Sequence, residues 1–247
     1  MAVDQETRRK LRLMNMCEMV DMLDMMAADP AYAMLGFDER LKVIVDYAYQ
    51  EKQNASIKRL LGRAHLRIPN ATIAGLIFDG RPLERERVAN LAACQFIDTS
   101  TDIIIEGFTG TGKTYLACAL ARQACMHGIG ALYVRMPDMF LALAEAEATG
   151  QTEAKLLKRF GRYRVLVIDE WLLDPLSKDQ RRFMLELIDR RHDQASTIFC
   201  SQYGVGDWHR RIGGGVHADA IMDRIVHNAI TLKTGDVNMR KATAPLS

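Results

Sequence analysis

The stretch Gly107-Phe108-Thr109-Gly110-Thr111-Gly112-Lys113-Thr114 constrains this chain more than any other. It fits the spacing G-x-x-x-x-G-K-[ST] at every fixed position, the pattern of a phosphate-binding loop. Glycines let successive backbone N–H groups turn into one concavity, and the positive end of a following helix adds its field. Lys113 is then placed to bridge the β and γ phosphates of a nucleotide, and the Thr114 hydroxyl to ligate Mg²⁺. The flanks have the required character. Residues 102–106 (DIIIE) are a short apolar run of buried-strand type, and residues 115–124 (YLACALARQA) are strongly helical. The expected nucleotide contacts are Gly107, Phe108, Thr109, Gly110, Thr111, Gly112, Lys113, Thr114 and Tyr115.

A second signal is Val165-Leu166-Val167-Ile168-Asp169-Glu170, four apolar residues running into two acids. A fully buried parallel strand delivers its C-terminal end to the same sheet edge as the phosphate loop, where ligands bind in open α/β sheets. Asp169 is therefore expected beside the Mg²⁺ site. Glu170 is expected to orient or activate the water that attacks the γ-phosphate. A further strand at residues 197–200 ends in Ser201-Gln202-Tyr203. A polar side chain there can lie between Asp169 and the γ-phosphate, or can simply close a turn on its own backbone.

With 247 residues, 49% hydrophobic and 26% charged, the composition suits one substantial core and a smaller appendage. Net charge is only +2, so any argument about nucleic acid must be local. The five cysteines form no C-x-x-C pair and read as reduced thiols. The N-terminus is polar and no apolar run approaches membrane-spanning length, so a cytoplasmic location is expected.

Along the chain, residues 6–26 have helical periodicity and are rich in methionine, a stripe that suits either core or a soft partner surface. A second helix is expected over 38–50 and a third over 56–67, where Arg59, Arg63 and Arg67 recur at four-residue steps. Residues 50–67 carry five Lys or Arg against one Glu, a local net of +4. With Lys58, this basic stripe suits phosphate contacts along DNA, or is a solvated helix face. Pro69 marks the boundary, giving a helical domain at 1–69 and a nucleotide-binding domain at 70–247. Helices are expected at 84–96, 138–148, 152–160, 178–191 and 218–226, and strands at 131–136 and 229–233. Gly213-Gly214-Gly215 reads as a flexible joint.

Taken together, these residues resemble the IstB-type transposition helper ATPases, relatives of the DnaC helicase loader and DnaA initiator within the AAA+ superfamily. The resemblance covers nearly the whole chain, and 197–209 (TIFCSQYGVGDWH) and 219–229 (DAIMDRIVHNA) are its most family-like stretches. It implies an α/β P-loop NTPase core, a central parallel sheet flanked by helices, after a small all-helical N-terminal domain. Lys113 and Thr114 match Walker A, Asp169 and Glu170 match Walker B, and Gln202, or alternatively Ser201, matches sensor 1. Arg224 falls where the clade keeps an arginine finger that acts on a neighbouring subunit's nucleotide. Arg240 is near the place of a sensor 2 arginine, but the residues after it are too few for a full C-terminal lid.

The resemblance further implies a Mg-dependent ATPase, stimulated by oligomerisation and DNA, that assembles on duplex DNA for an IstA-type transposase. A replicative helicase loader of the DnaC kind is the closest alternative. A small-molecule P-loop kinase would need an acceptor pocket and a basic lid, for which no clear segment exists. A module holding ATP only as a structural switch would not need Lys113, Asp169 and Glu170 together.

Overall fold

The helical periodicity at the start of the chain breaks at Asn15. In the computed structural model, which describes residues 3–150 and 152–239, Asn15 takes a left-handed φ of 57°. It separates α1 (Gln5–Leu13) from α2 (Cys17–Ala28), where one helix was expected. Asp4 caps α1 by accepting from Thr7 N at 2.9 Å, and Arg8 of α1 pairs with Asp24 of α2. After a 3-10 turn at Pro30–Met34 comes α3, which runs unbroken from Phe37 to Arg63. The two helices expected over 38–50 and 56–67 are thus one, because residues 51–55 (EKQNA) hold no glycine or proline to interrupt the ladder. The helix also stops before Arg67, so the arginine stripe does not continue to that residue.

The chain divides into two compact units, Met1–Arg59 and Leu60–Ser247. In the first, Val20 and Met22 of α2 and Ile44 and Ala48 of α3 are among the buried side chains. Of its methionine stripe, Met22 is buried while Met14 and Met25 are exposed. The second unit begins earlier than the boundary expected at residue 69, since Ala64 and Leu66 are buried in its core.

That core forms around five parallel strands: β1 (Asp102–Glu106), β2 (Ala131–Arg135), β3 (Val165–Asp169), β4 (Ser196–Ser201) and β5 (Ala229–Lys233), in the order β2-β3-β4-β1-β5. Side chains alternate between the faces. Ile103, Ile105, Val165, Val167, Ile198 and Cys200 meet α4 (Arg85–Ala92), α5 (Gln95–Asp98) and α6 (Lys113–Met126). Ile104, Leu132, Leu166, Ile168 and Phe199 meet the other face, covered by α7 (Met136–Ala148), α8 (Glu153–Gly161), α9 (Lys178–Arg191), α10 (Val205–Ile212) and α11 (Gly215–Val226). Each such aliphatic side chain contributes about 1.5–3 kcal/mol by leaving water. The helix expected over 84–96 breaks at Cys94, whose φ is 62°. The three glycines at 213–215 make a tight turn between α10 and α11, with Gly213 as the left-handed cap.

At the N-terminal ends of the strands, Arg191 is buried and donates to Thr197 Oγ1, Phe160 O, Tyr163 O and Ser196 O. Asp102 lies close by and accepts Thr197 N at 2.6 Å. Burial pushes the Asp102 carboxyl up from 3.8 to about 7, against the backbone N–H and Arg191, which favour its charge. A raised acid binds its proton more tightly folded than unfolded, so stability is lost as pH rises between those values. The effect is about 1.4 kcal/mol for every pH unit in that window. Asp102→Asn is therefore expected to gain melting temperature relative to the wild type as pH rises from 4 to 7, in paired thermal melts. A difference independent of pH would show that Asp102 is ionised throughout.

Candidate nucleotide site

The phosphate loop leaves β1 at Glu106 and enters α6 at Lys113, the strand-loop-helix arrangement its spacing requires. Gly110 has φ 86°, a conformation that side chains other than glycine rarely adopt. Gly107 is enclosed: a Cβ there would collide with Thr234 Oγ1. Lys113 Nζ donates to Gly107 O at 2.7 Å and Phe108 O at 2.8 Å, and burial lowers its pKa. From outside the loop, Arg81 Nη2 donates to Thr111 O at 2.7 Å, and Met239 N to Gly110 O at 2.9 Å.

The acidic pair lies at the same sheet edge. Asp169 is 2% exposed, and its Oδ2 accepts both Thr114 Oγ1 and Tyr133 Oη at 2.7 Å. Its Oδ1 accepts Glu170 N at 2.9 Å. Burial first, and then the Asp169 charge, push the Tyr133 phenol up, so it stays a donor. Glu170 turns off the strand with φ 58°, and its carboxylate is gripped by Arg135, from Nε at 3.0 Å and Nη2 at 2.7 Å. Arg67 Nη1 adds a longer contact at 3.4 Å. The Arg135 fork, more than any other neighbour, holds the Glu170 carboxyl below its usual range.

Arg67, expected on a free DNA-facing stripe, is thus beside Glu170, because it lies past the end of α3 in a segment docked on β2, where Tyr133 N meets Ala64 O at 2.8 Å. Lys58, Arg59 and Arg63 are exposed on α3. The two sensor 1 candidates face differently. Gln202 Oε1 accepts Thr109 Oγ1 of the phosphate loop at 2.8 Å, whereas buried Ser201 donates its hydroxyl to Trp171 O at 3.0 Å. Arg224 is remote from its own phosphate loop. It pairs with Asp189 at 2.7 Å and lines a crevice with Asp102, Thr197 and Asn228, at the opposite ends of the strands. Arg240 lies outside the described residues.

Beside the loop is a cavity of about 350 Å³, a size suited to a small ligand, whose walls include Ile68, Leu76, Ile77, Tyr115 and Met239. Thr114 and Asp169 offer oxygen donors suited to Mg²⁺, an ion that commonly takes one or two protein ligands and completes its shell with phosphates and water.

Residues 6–247 match the family described as IstB-like ATP binding protein. The chain belongs to this family. Among relatives, it is 30% identical over 239 residues to an insertion-sequence ATP-binding protein of Sinorhizobium fredii (y4uH), covering 97% of this chain and 96% of the relative. A second from that organism (y4pL) is 38% identical over 161 residues, 65% of either chain. Among solved structures, DnaI superposes with TM-score 0.58 at 20% identity, covering 73% of this chain and 92% of that one. AMPPCP-bound DnaA from Aquifex aeolicus gives 0.58 at 19%, covering 69% and 51%. The fold is that of the AAA+ P-loop ATPases, and the family is ATP-binding. Among the described residues, no helix is long and apolar enough to cross a membrane.

Sequence reasoning missed Tyr133, Arg135 and Arg81. The first two sit two residues apart on β2, and their role appears only once β2 is known to pair with β3 in the register that sets Arg135 opposite Asp169.

Proposed function

We propose that this IstB-like protein hydrolyses ATP and uses ATP-dependent assembly on duplex DNA to present target sites to an IstA-type transposase. The convergence of Lys113, Thr114, Asp169 and Glu170 on one sheet edge carries the hydrolytic half of this reading. The insertion-sequence names of its relatives favour a transposase over a replicative helicase as partner. The proposed setting is the cytoplasm.

In this reading the loop N–H groups and Lys113 bind the triphosphate, Lys113 exchanging the carbonyls of Gly107 and Phe108 for phosphate oxygens. Thr114 and Asp169 would hold Mg²⁺, whose chemistry is to neutralise charge on the phosphate oxygens. Glu170 accepts a proton from the attacking water, and Gln202, already bonded to the loop through Thr109, orients toward the γ-phosphate. Arg224 serves the site of a neighbouring subunit. ATP favours the DNA-bound assembly by its differential affinity for that state, and hydrolysis releases it.

The test is sedimentation of the protein with duplex DNA, with and without a non-hydrolysable ATP analogue. A large protein–DNA assembly is expected only with the analogue. Replacing Arg59 and Arg63 by alanine should weaken binding alike for all sequences, and each should lower the salt slope by about 1. A protein that ignores duplex DNA in every nucleotide state removes the transposition reading. Capture of a replicative helicase in its place would select the loader.

A further inference from the structure

The loops that follow Glu170 and precede α10 are joined by a side chain with no part in the site above. Arg211, in α10, donates from Nε to Leu172 O at 2.6 Å and from Nη2 to Leu173 O. Its own carbonyl accepts Leu176 N at 3.1 Å. On the other side, its guanidinium carbon stands 3.7 Å from the centroid of the Tyr203 ring, a close cation–π contact. One planar group thereby touches both loops.

The segment it holds is strained. Glu170 and Leu172 have φ of 58° and 55°, and neither is glycine. Each such residue costs on the order of 1–3 kcal/mol and persists only where its surroundings fix it. Here they do so from the β4 side: Trp171 N donates to Cys200 O at 2.8 Å, and Ser201 Oγ to Trp171 O at 3.0 Å. The same Ser201 Oγ accepts Tyr203 N at 3.1 Å. Gln202 therefore lies between two residues, Ser201 and Tyr203, that are each fastened to the backbone beyond Glu170.

We propose that Arg211 is a positioning residue that transmits the placement of Gln202 to Glu170, so that the water-activating carboxylate is aligned only when the sensor loop is seated on the nucleotide. The inference rests on the hydrolytic reading above. Its physical content is that a shift of residues 201–203 moves the Tyr203 ring, the guanidinium stacked on it, and the Leu172 and Leu173 carbonyls bonded to that guanidinium. A misplacement of about 1 Å at a reacting group can cost roughly 10²-fold in rate.

The deciding experiment measures kcat and KM for ATP hydrolysis, affinity for a fluorescent ATP analogue, and melting temperature. It compares the wild type with Arg211→Ala, Arg211→Lys and the control Arg210→Ala, an exposed neighbour paired with Asp207. Arg211→Ala is expected to lose roughly ten- to a hundredfold in kcat while nucleotide affinity is unchanged. Arg211→Lys keeps a cation over the ring but not the fork, and should recover part of the loss. Arg210→Ala should behave as the wild type. A kcat unchanged in Arg211→Ala overturns the proposal, as does a loss matched by equal losses of nucleotide affinity and folded fraction. Should the alanine variant fail to fold, the lysine variant must show the same split between kcat and affinity. If the wild type releases no phosphate, the hydrolytic reading falls, and tryptophan emission decides the coupling. The chain's two tryptophans flank this clip, Trp171 directly and Trp208 through its bond to Tyr203 O at 3.0 Å. A change on ATP binding that Arg211→Ala abolishes supports the coupling; the same response in both proteins, or none in either, overturns it.

Discussion

Glu170→Gln is expected to bind ATP as tightly as the wild type and to release phosphate roughly 10²–10⁴-fold more slowly. The substitution keeps the shape of the side chain and the hydrogen bond from Glu170 N to Asp169, but removes the charge that accepts a proton. It leaves Thr114, Asp169 and Lys113 untouched, so binding and turnover should separate. The Arg135 fork holds Glu170 below the ordinary carboxyl range, and the carboxylate therefore stays ionised well under neutral pH. Any loss of turnover on mild acidification must come from other groups. Steady-state phosphate release beside equilibrium binding of a fluorescent analogue makes the comparison, and unchanged turnover would remove Glu170 from the mechanism.

Arg224→Ala should lose about 10³–10⁵-fold in hydrolysis with nucleotide binding intact, the range measured for arginine fingers supplied to a phosphoryl site. Its partner Asp189 is half-exposed, so breaking that pair costs no more than about 1 kcal/mol of stability. A fold defect is therefore not the expected cause. Arg224 lies at the strand ends opposite the phosphate loop, and help from it must come from another copy. Mixing Arg224→Ala with Glu170→Gln supplies the test. An intact Glu170 site on one protein can then meet an intact Arg224 on the other, and part of the activity should return. Two inactive proteins that stay inactive together would place Arg224 outside the reaction.

The phosphate loop, the acid-ended strand and all five strand positions could be read along the chain because each is local: alternation, apolar runs and glycine spacing act within a few residues. Helix ends were less legible. Asn15 and Cys94 turn left-handed without a glycine to announce it, and residues 51–55 carry α3 straight through a polar stretch that reads like a linker. Least visible were the partners of the acids. Tyr133, Arg135 and Arg67 reach Asp169 and Glu170 only because β2 lies beside β3 and the chain after α3 docks on β2. Strand order is a property of the packed sheet, and nothing near residues 67 or 133 in the sequence points across to 169. Arg67 consequently looked like one more member of a basic stripe.

The parallel sheet gives its unit two unlike ends: the phosphate loop with Asp169 and Glu170 at one and Arg224 at the other. In the proposed assembly Arg224 of one copy meets the phosphate loop of the next, so the two surfaces in contact are different ones. Where each contact is of that head-to-tail kind and the copies stack in one direction, the assembly either closes into a ring or continues as a helical filament. In an open filament, one terminal subunit always holds ATP that no neighbour's arginine reaches. Length and lifetime would then be coupled, with the capped interior turning over and one end of the polymer keeping its nucleotide.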